Sequence, residues 1–89
     1  MTEVRIADWI VEKVLITKEK GGSAHTPLVE QIRNKPTELE NDIREGLPGF
    51  ITDAMLEGHH EGVIHGNDFS VTAREVVEKL KELDRAGKL

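Results

Sequence analysis

Cysteine is absent from the 89 residues. That removes disulfide scaffolds, thiolate zinc sites, iron–sulfur clusters and cysteine nucleophiles together, and it points to a reducing compartment, so a cytoplasmic location is expected. Aromatic residues are nearly as scarce. Trp9, Phe50 and Phe69 are the whole set, so a core has to be built mainly from aliphatic side chains. Long apolar runs are missing too: stretches such as Val14-Leu15-Ile16 fall far short of the roughly 20 residues a membrane span needs. Met1-Thr2-Glu3 lacks the basic start of a secretory signal. Neither membrane insertion nor export is expected.

Basic residues are absent from Leu47 to Thr72, where the charges are Asp53, Glu57, Glu61 and Asp68. From Ala73 to Leu89 the balance changes to five basic residues against four acidic ones. The net charge of -5 argues against general polyanion binding, because phosphate contacts need a basic footprint. With 37% apolar and 33% charged residues, the chain has the composition of a folded domain. Its length suits one domain over residues 1–89, small enough that burial against a partner would add stability.

Val4, Ala7, Ile10, Val11, Val14 and Leu15 recur at helical spacing and predict a helix from about Thr2 to Lys20, stopped by Gly21-Gly22. Thr26-Pro27 reads as a cap and first helical residue, opening a short helix to about Asn34. Thr37-Glu38-Leu39-Glu40 has the form of a capping box, and Leu39, Ile43 and Leu47 would face inward. Gly46, Pro48 and Gly49 predict a break, followed by another short helix through Phe50, Ile51, Ala54 and Met55 to Gly58. From Gly62 to Thr72 the pattern reads as a small β-hairpin around Gly66-Asn67-Asp68. Thr72-Ala73-Arg74-Glu75 then opens a last helix to about Arg85, with Val76, Val77, Leu80 and Leu83 inward.

The expected fold is therefore mainly α with a small β-hairpin, an α+β arrangement that is either winged-helix-like or an irregular four-helix domain. The order of a helix, Glu61-Gly62-Val63-Ile64, a short turn, Phe69-Ser70-Val71-Thr72 and a long amphipathic helix resembles winged-helix domains of the MarR and PadR kind over residues 50–83. That resemblance implies a recognition helix at about Phe50 to Glu61 and a hairpin wing. The recognition stretch carries Asp53, Glu57 and Glu61 and no Lys or Arg, whereas major-groove reading leans on Arg, Lys, Asn and Gln. The resemblance thus supports an architecture more than DNA binding.

Three groups of residues are candidate sites. Asp53, Glu57 and Glu61 with His59 and His60 form an acidic, histidine-bearing surface for a protein partner. His65 and Asp68 extend that group, but no recognised metal-ligand spacing is present, so a solvated loop is preferred and no metal is expected. Ile6, Trp9 and Ile16, interrupted by Lys13, form a second apolar stripe on the first helix, for a homodimer or a partner; the alternative is burial by the C-terminal helix. Arg74, Lys81, Arg85 and Lys88 make a basic stripe open to nucleic acid or simply solvated. Neither Ser23 nor Ser70 lies in a nucleophile elbow, and Gly21-Gly22-Ser23 lacks the spacing of a phosphate-binding loop.

No catalytic residue and no cofactor are expected. The leading expectation is a non-enzymatic protein-interaction module, a small acidic regulator or inhibitor that presents its central surface to a basic partner. A winged-helix DNA-binding regulator is the first alternative, and a histidine-metal protein the second.

Overall fold

A computed structural model describes residues 4–21, 25–59 and 68–89. Four helices run through them: α1 (Ile6–Glu19), α2 (His25–Asn34), α3 (Pro36–Leu56) and α4 (Phe69–Arg85). No strand runs through the described residues.

The expected hairpin is overturned by the start of α4. Asp68 caps that helix, its Oδ1 accepting from the N–H groups of Ser70 at 2.9 Å and Val71 at 3.1 Å. Two of the helix's otherwise orphaned donors are satisfied in this way. Phe69-Ser70-Val71-Thr72, read from the sequence as the second strand, are therefore the first turn of α4. Thr72 is buried inside the helix at 2% exposure, four residues past the capping position held by Asp68. The alternation in Phe69 to Thr72 fits a strand, but the helical register from Thr72 also buries Ala73, Val76, Val77 and Leu80 together. The expected first strand, Gly62 to Ile64, lies outside the described residues.

The break expected at Gly46-Pro48-Gly49 is also absent, because α3 continues through all three residues. Leu39, Ile43, Leu47, Ile51 and Ala54 are all buried, so one apolar stripe passes straight through the glycine–proline segment. Burying five residues of one stripe outweighs the propensity penalty of the breakers. Downstream of the proline, Thr52 Oγ1 donates to the Pro48 carbonyl at 3.0 Å. Of the segment expected as a recognition helix, Phe50 to Leu56 is the end of α3, and His60 and Glu61 lie outside the described residues. With neither a separate recognition helix nor a wing strand at Phe69 to Thr72 among the described residues, the winged-helix architecture is not the one observed.

The helix ends follow local chemistry. Lys35 alone separates α2 from α3, at φ -138° and ψ 53°, since the following proline disfavours the helical conformation in the residue before it. Thr37 consequently sits within the first turn of α3 rather than capping it. At the far end Gly58 takes φ 91°, with Gly58 N–H donating to the Met55 carbonyl at 3.0 Å and His59 N–H to that of Ala54 at 3.2 Å. These two bonds form a Schellman turn. Gly87 closes α4 in the same way, at φ 72°.

All four helices contribute to one core, in which Ile6, Leu47, Val76 and Leu80 are almost wholly enclosed. The side chains of α1 and α4 meet in matching order, Arg5 with Glu75 and Asp8 with Lys79, so these two helices run in the same direction. Arg33 on α2 holds Asp84 on α4 through a forked pair, with bonds of 3.0 Å from Nε and 2.7 Å from Nη2. This pairing keeps the Asp84 carboxyl below its usual range and raises the guanidinium of Arg33. No described helix is long and apolar enough to cross a membrane.

Candidate functional site

α1 and α3 are joined around Trp9. Its ring packs against Phe50 with centroids 6.5 Å apart and planes tilted by 57°, an edge-inclined arrangement that aromatic pairs favour. Its indole Nε1 donates to Glu57 Oε2 at 3.0 Å, and Lys13 Nζ reaches Glu57 Oε1 at 2.7 Å. The same ammonium lies 5.5 Å from the centre of the indole, within cation–π range. The hydrogen bond from Lys13 first, and that from Trp9 second, hold the Glu57 carboxyl below the usual glutamate range. Its ionised form is the one these neighbours favour.

Beside this joint a groove opens between α1, α2 and α3. Its main slot, of about 340 Å³, has Trp9, Ile10, Val14, Leu28 and Phe50 as floor and walls, with Lys13 and Thr17 at the mouth. A second hollow of about 230 Å³ shares Ile10, Val14, Leu28 and Phe50 and extends toward Asp42. At the other end a shallower depression of about 440 Å³ runs from Trp9 and Lys13 to Asp53, Leu56 and Glu57. Gly46 makes room for the Phe50 ring, since a Cβ there would lie 3.1 Å from it. The slot and the second hollow share an apolar lining, and the shallower depression adjoins the slot across Trp9 and Lys13.

The outer side of α3 is acidic and meets the hollows at Asp42 and Asp53. Glu38, Asp42, Glu45, Asp53 and Leu56 are exposed and fall along one line of the helix, at steps of three, four or multiples of these. Asp42 accepts from Gln31 Nε2 at 3.0 Å. Asp53 has no ion-pair partner among the described residues, and Arg44, the basic residue of α3, lies off the line and donates to Asn41 at 2.6 Å. Leu56, at 81% exposure, ends the line as its apolar member.

The sequence-derived site residues are distributed as follows. Asp53 and Glu57 are exposed and belong to the groove rim, and His59 is half-buried beside them. His59 Nε2 lies 3.9 Å from Glu57 Oε2, and its buried Nδ1 has no hydrogen-bond partner among the described residues. His60, Glu61 and His65 lie outside the described residues. Among those described, no three His, Asp or Glu side chains gather as a metal site.

Ile6 and Trp9 do not form an exposed second stripe, being 0% and 5% exposed within the single chain. The premise that favoured a homodimer through them is therefore removed, and only Lys13 and Ile16 of that group remain partly open. Arg74 lies 3.9 Å from Glu40, Lys81 is 4.0 Å from Glu78, and Arg85 is exposed at the end of α4. Lys88 lies beyond the turn at Gly87, so it does not continue a helical stripe.

Sequence reasoning missed the groove itself. Val14 reads as part of the apolar face of the first helix and Phe50 as a member of a separate short helix, and nothing local announces that three helices leave space between them. One signal was available for Leu56. Continuing the 39, 43, 47, 51, 54 spacing without a break leaves it on the outer side of α3.

Neither a family model, nor a curated protein, nor a solved structure matches this chain.

Proposed function

We propose that this protein is a non-enzymatic interaction module that uses the acidic outer side of α3 to bind a basic protein partner. The observation that carries the reading is the exposed line of Glu38, Asp42, Glu45 and Asp53, which holds no Lys or Arg and borders apolar hollows at Asp42 and Asp53. A surface of one sign speeds encounter with a partner of the other sign, and apolar contact beside it supplies residence time. Trp9, Lys13 and Glu57 satisfy one another, which suits a structural joint better than a reacting centre.

The test begins with proteins captured from host lysate and identified by mass spectrometry. Each is then purified and titrated against wild type and against an Asp53→Lys, Glu45→Lys double variant. The variant is expected to bind its true partner at least about tenfold more weakly, with slower association and reduced salt sensitivity. Equal binding of every captured protein by wild type and variant overturns the reading. So does tight, sequence-selective binding of duplex DNA by the wild type at physiological salt.

A further inference from the structure

We infer that the groove between α1, α2 and α3 receives a basic amphipathic helix of the partner, an inference that rests on the acidic-module reading above. The groove interior is apolar where Val14, Leu28 and Phe50 line it, so it can take large aliphatic or aromatic side chains and offers little to a polar ligand. On the other side of Trp9 and Lys13 a separate depression reaches Leu56, a large aliphatic side chain at 81% exposure.

Charge complementarity decides what flanks those apolar side chains. Along the α3 rim Asp42 stands near one end and Asp53 near the other. The one ammonium at the mouth, Lys13, is engaged by Glu57. A cation on the occupant thus meets the Asp53 carboxylate, which has no ion-pair partner among the described residues, whereas an acidic segment is repelled along the same edge.

Length and hydrogen bonding argue for a helix. From Asp42 to Leu56, α3 covers about 21 Å at the helical rise of roughly 1.5 Å per residue. A partner helix of about four turns matches that span, with anchors at i, i+3 or i+4, i+7 and i+11 and its backbone bonds satisfied internally. An extended peptide would need a free sheet edge to pair its backbone, and the described residues contain no strand.

The probe is a pair of synthetic peptides of about 16 residues, made of Leu and Lys in identical composition. One carries its leucines at helical spacing on a single face, and the other has them shuffled out of register. Each is titrated into the full chain, with emission of Trp9 and isothermal calorimetry as readouts. Wild type is compared with Thr17→Phe, which narrows the mouth of the slot, with Leu56→Ser and with Asp53→Lys. All three sites are exposed, and circular dichroism verifies that each variant is folded.

The amphipathic peptide is expected to perturb Trp9 and to bind at least about tenfold more tightly than its shuffled partner. Thr17→Phe and Leu56→Ser should each weaken it several-fold, and Asp53→Lys should do the same with a reduced salt dependence. Equal binding of the two peptides, no binding, or indifference to Thr17→Phe and Leu56→Ser overturns the groove inference. If Asp53→Lys alone weakens binding, the groove falls while the acidic-module reading stands. Indifference to Asp53→Lys with loss in the groove variants refutes the charge argument, and with it the basic occupant proposed here. A wild-type dimer that Thr17→Phe dissolves makes a second copy the occupant and also overturns the proposal.

Discussion

Trp9 Nε1 and Glu57 Oε2 are 3.0 Å apart although 48 positions separate the two residues in sequence. The other carboxylate oxygen holds Lys13 at 2.7 Å, so one side chain just past the end of α3 fixes two side chains of α1. Charge-assisted bonds of this kind are stronger than neutral ones. Glu57→Gln keeps an acceptor for the indole and loses the ion pair. Glu57→Ala loses both and leaves the N–H of a nearly buried ring unpaired. Thermal stability is expected to fall in the order wild type, Glu57→Gln, Glu57→Ala, with a red shift of Trp9 emission in the last, read by melting curves and fluorescence.

The same bond sets a pH dependence. Glu57 titrates lower in the folded chain than in the unfolded one, because Lys13 and then Trp9 favour its charged form. Its contribution is therefore complete above the ordinary glutamate value and is lost as the pH falls through the lower folded value. Asp84, held down by Arg33, behaves in the same sense. The melting temperature should decline on acidification into the carboxylate range, and Glu57→Gln should flatten part of that decline. A decline unchanged in Glu57→Gln rules out this contribution.

Two glycines inside α3 should respond differently to alanine. Gly49 is exposed and a Cβ there meets nothing within 4 Å, so Gly49→Ala is expected to stabilise by about 1 kcal/mol, the usual helical penalty of glycine. Gly46→Ala gains the same propensity but drives a Cβ to 3.1 Å from Phe50. That ring must shift within the groove, so less than half of the gain should remain. Chemical denaturation of the two variants side by side measures the difference.

Asp68 offers a test of the start of α4. Asp68→Ala removes the acceptor for the Ser70 and Val71 amides and is expected to cost about 1 kcal/mol. Asp68→Ser, which retains a capping oxygen, should lose much less. Equal stability of the two variants would show that the cap does not hold the first turn.

The sequence made some of this legible, and the reasons for the failures are specific. The stripe Leu39, Ile43, Leu47 was readable from spacing alone, and so were Val76, Val77 and Leu80 on α4, because helical periodicity survives any tertiary context. The passage of α3 through Gly46, Pro48 and Gly49 was not, since local breaker chemistry was weighed without the burial of Ile51 and Ala54 that continues the stripe. The hairpin failed for a related reason: Asp68 reads equally as a turn residue and as a helix cap, and only the packing of Thr72 and Ala73 decides between them. Of the candidate site, Asp53 and Glu57 were legible as acids in a region without bases. Trp9 was misplaced, because a ring that looks outward on an isolated α1 is enclosed once Phe50 and Glu57 arrive from α3.

The side-by-side course of α1 and α4 has a consequence for how the chain matures. Arg5 with Glu75, Asp8 with Lys79, and Lys18 with the Lys88 carbonyl join residues separated by 70, 71 and 70 positions. On the ribosome α1 emerges before α4, and these contacts form only after α4 has left the exit tunnel. Until then Ile6, Ala7 and Ile10 lack the part of their cover that α4 supplies in the finished fold. α2 and α3, hinged at Lys35, can pair while synthesis continues, because their contacts are close in sequence. The side of α1 that faces α4 is therefore secured only when α4 arrives, and nascent chains stalled before α4 should present that apolar side to chaperones.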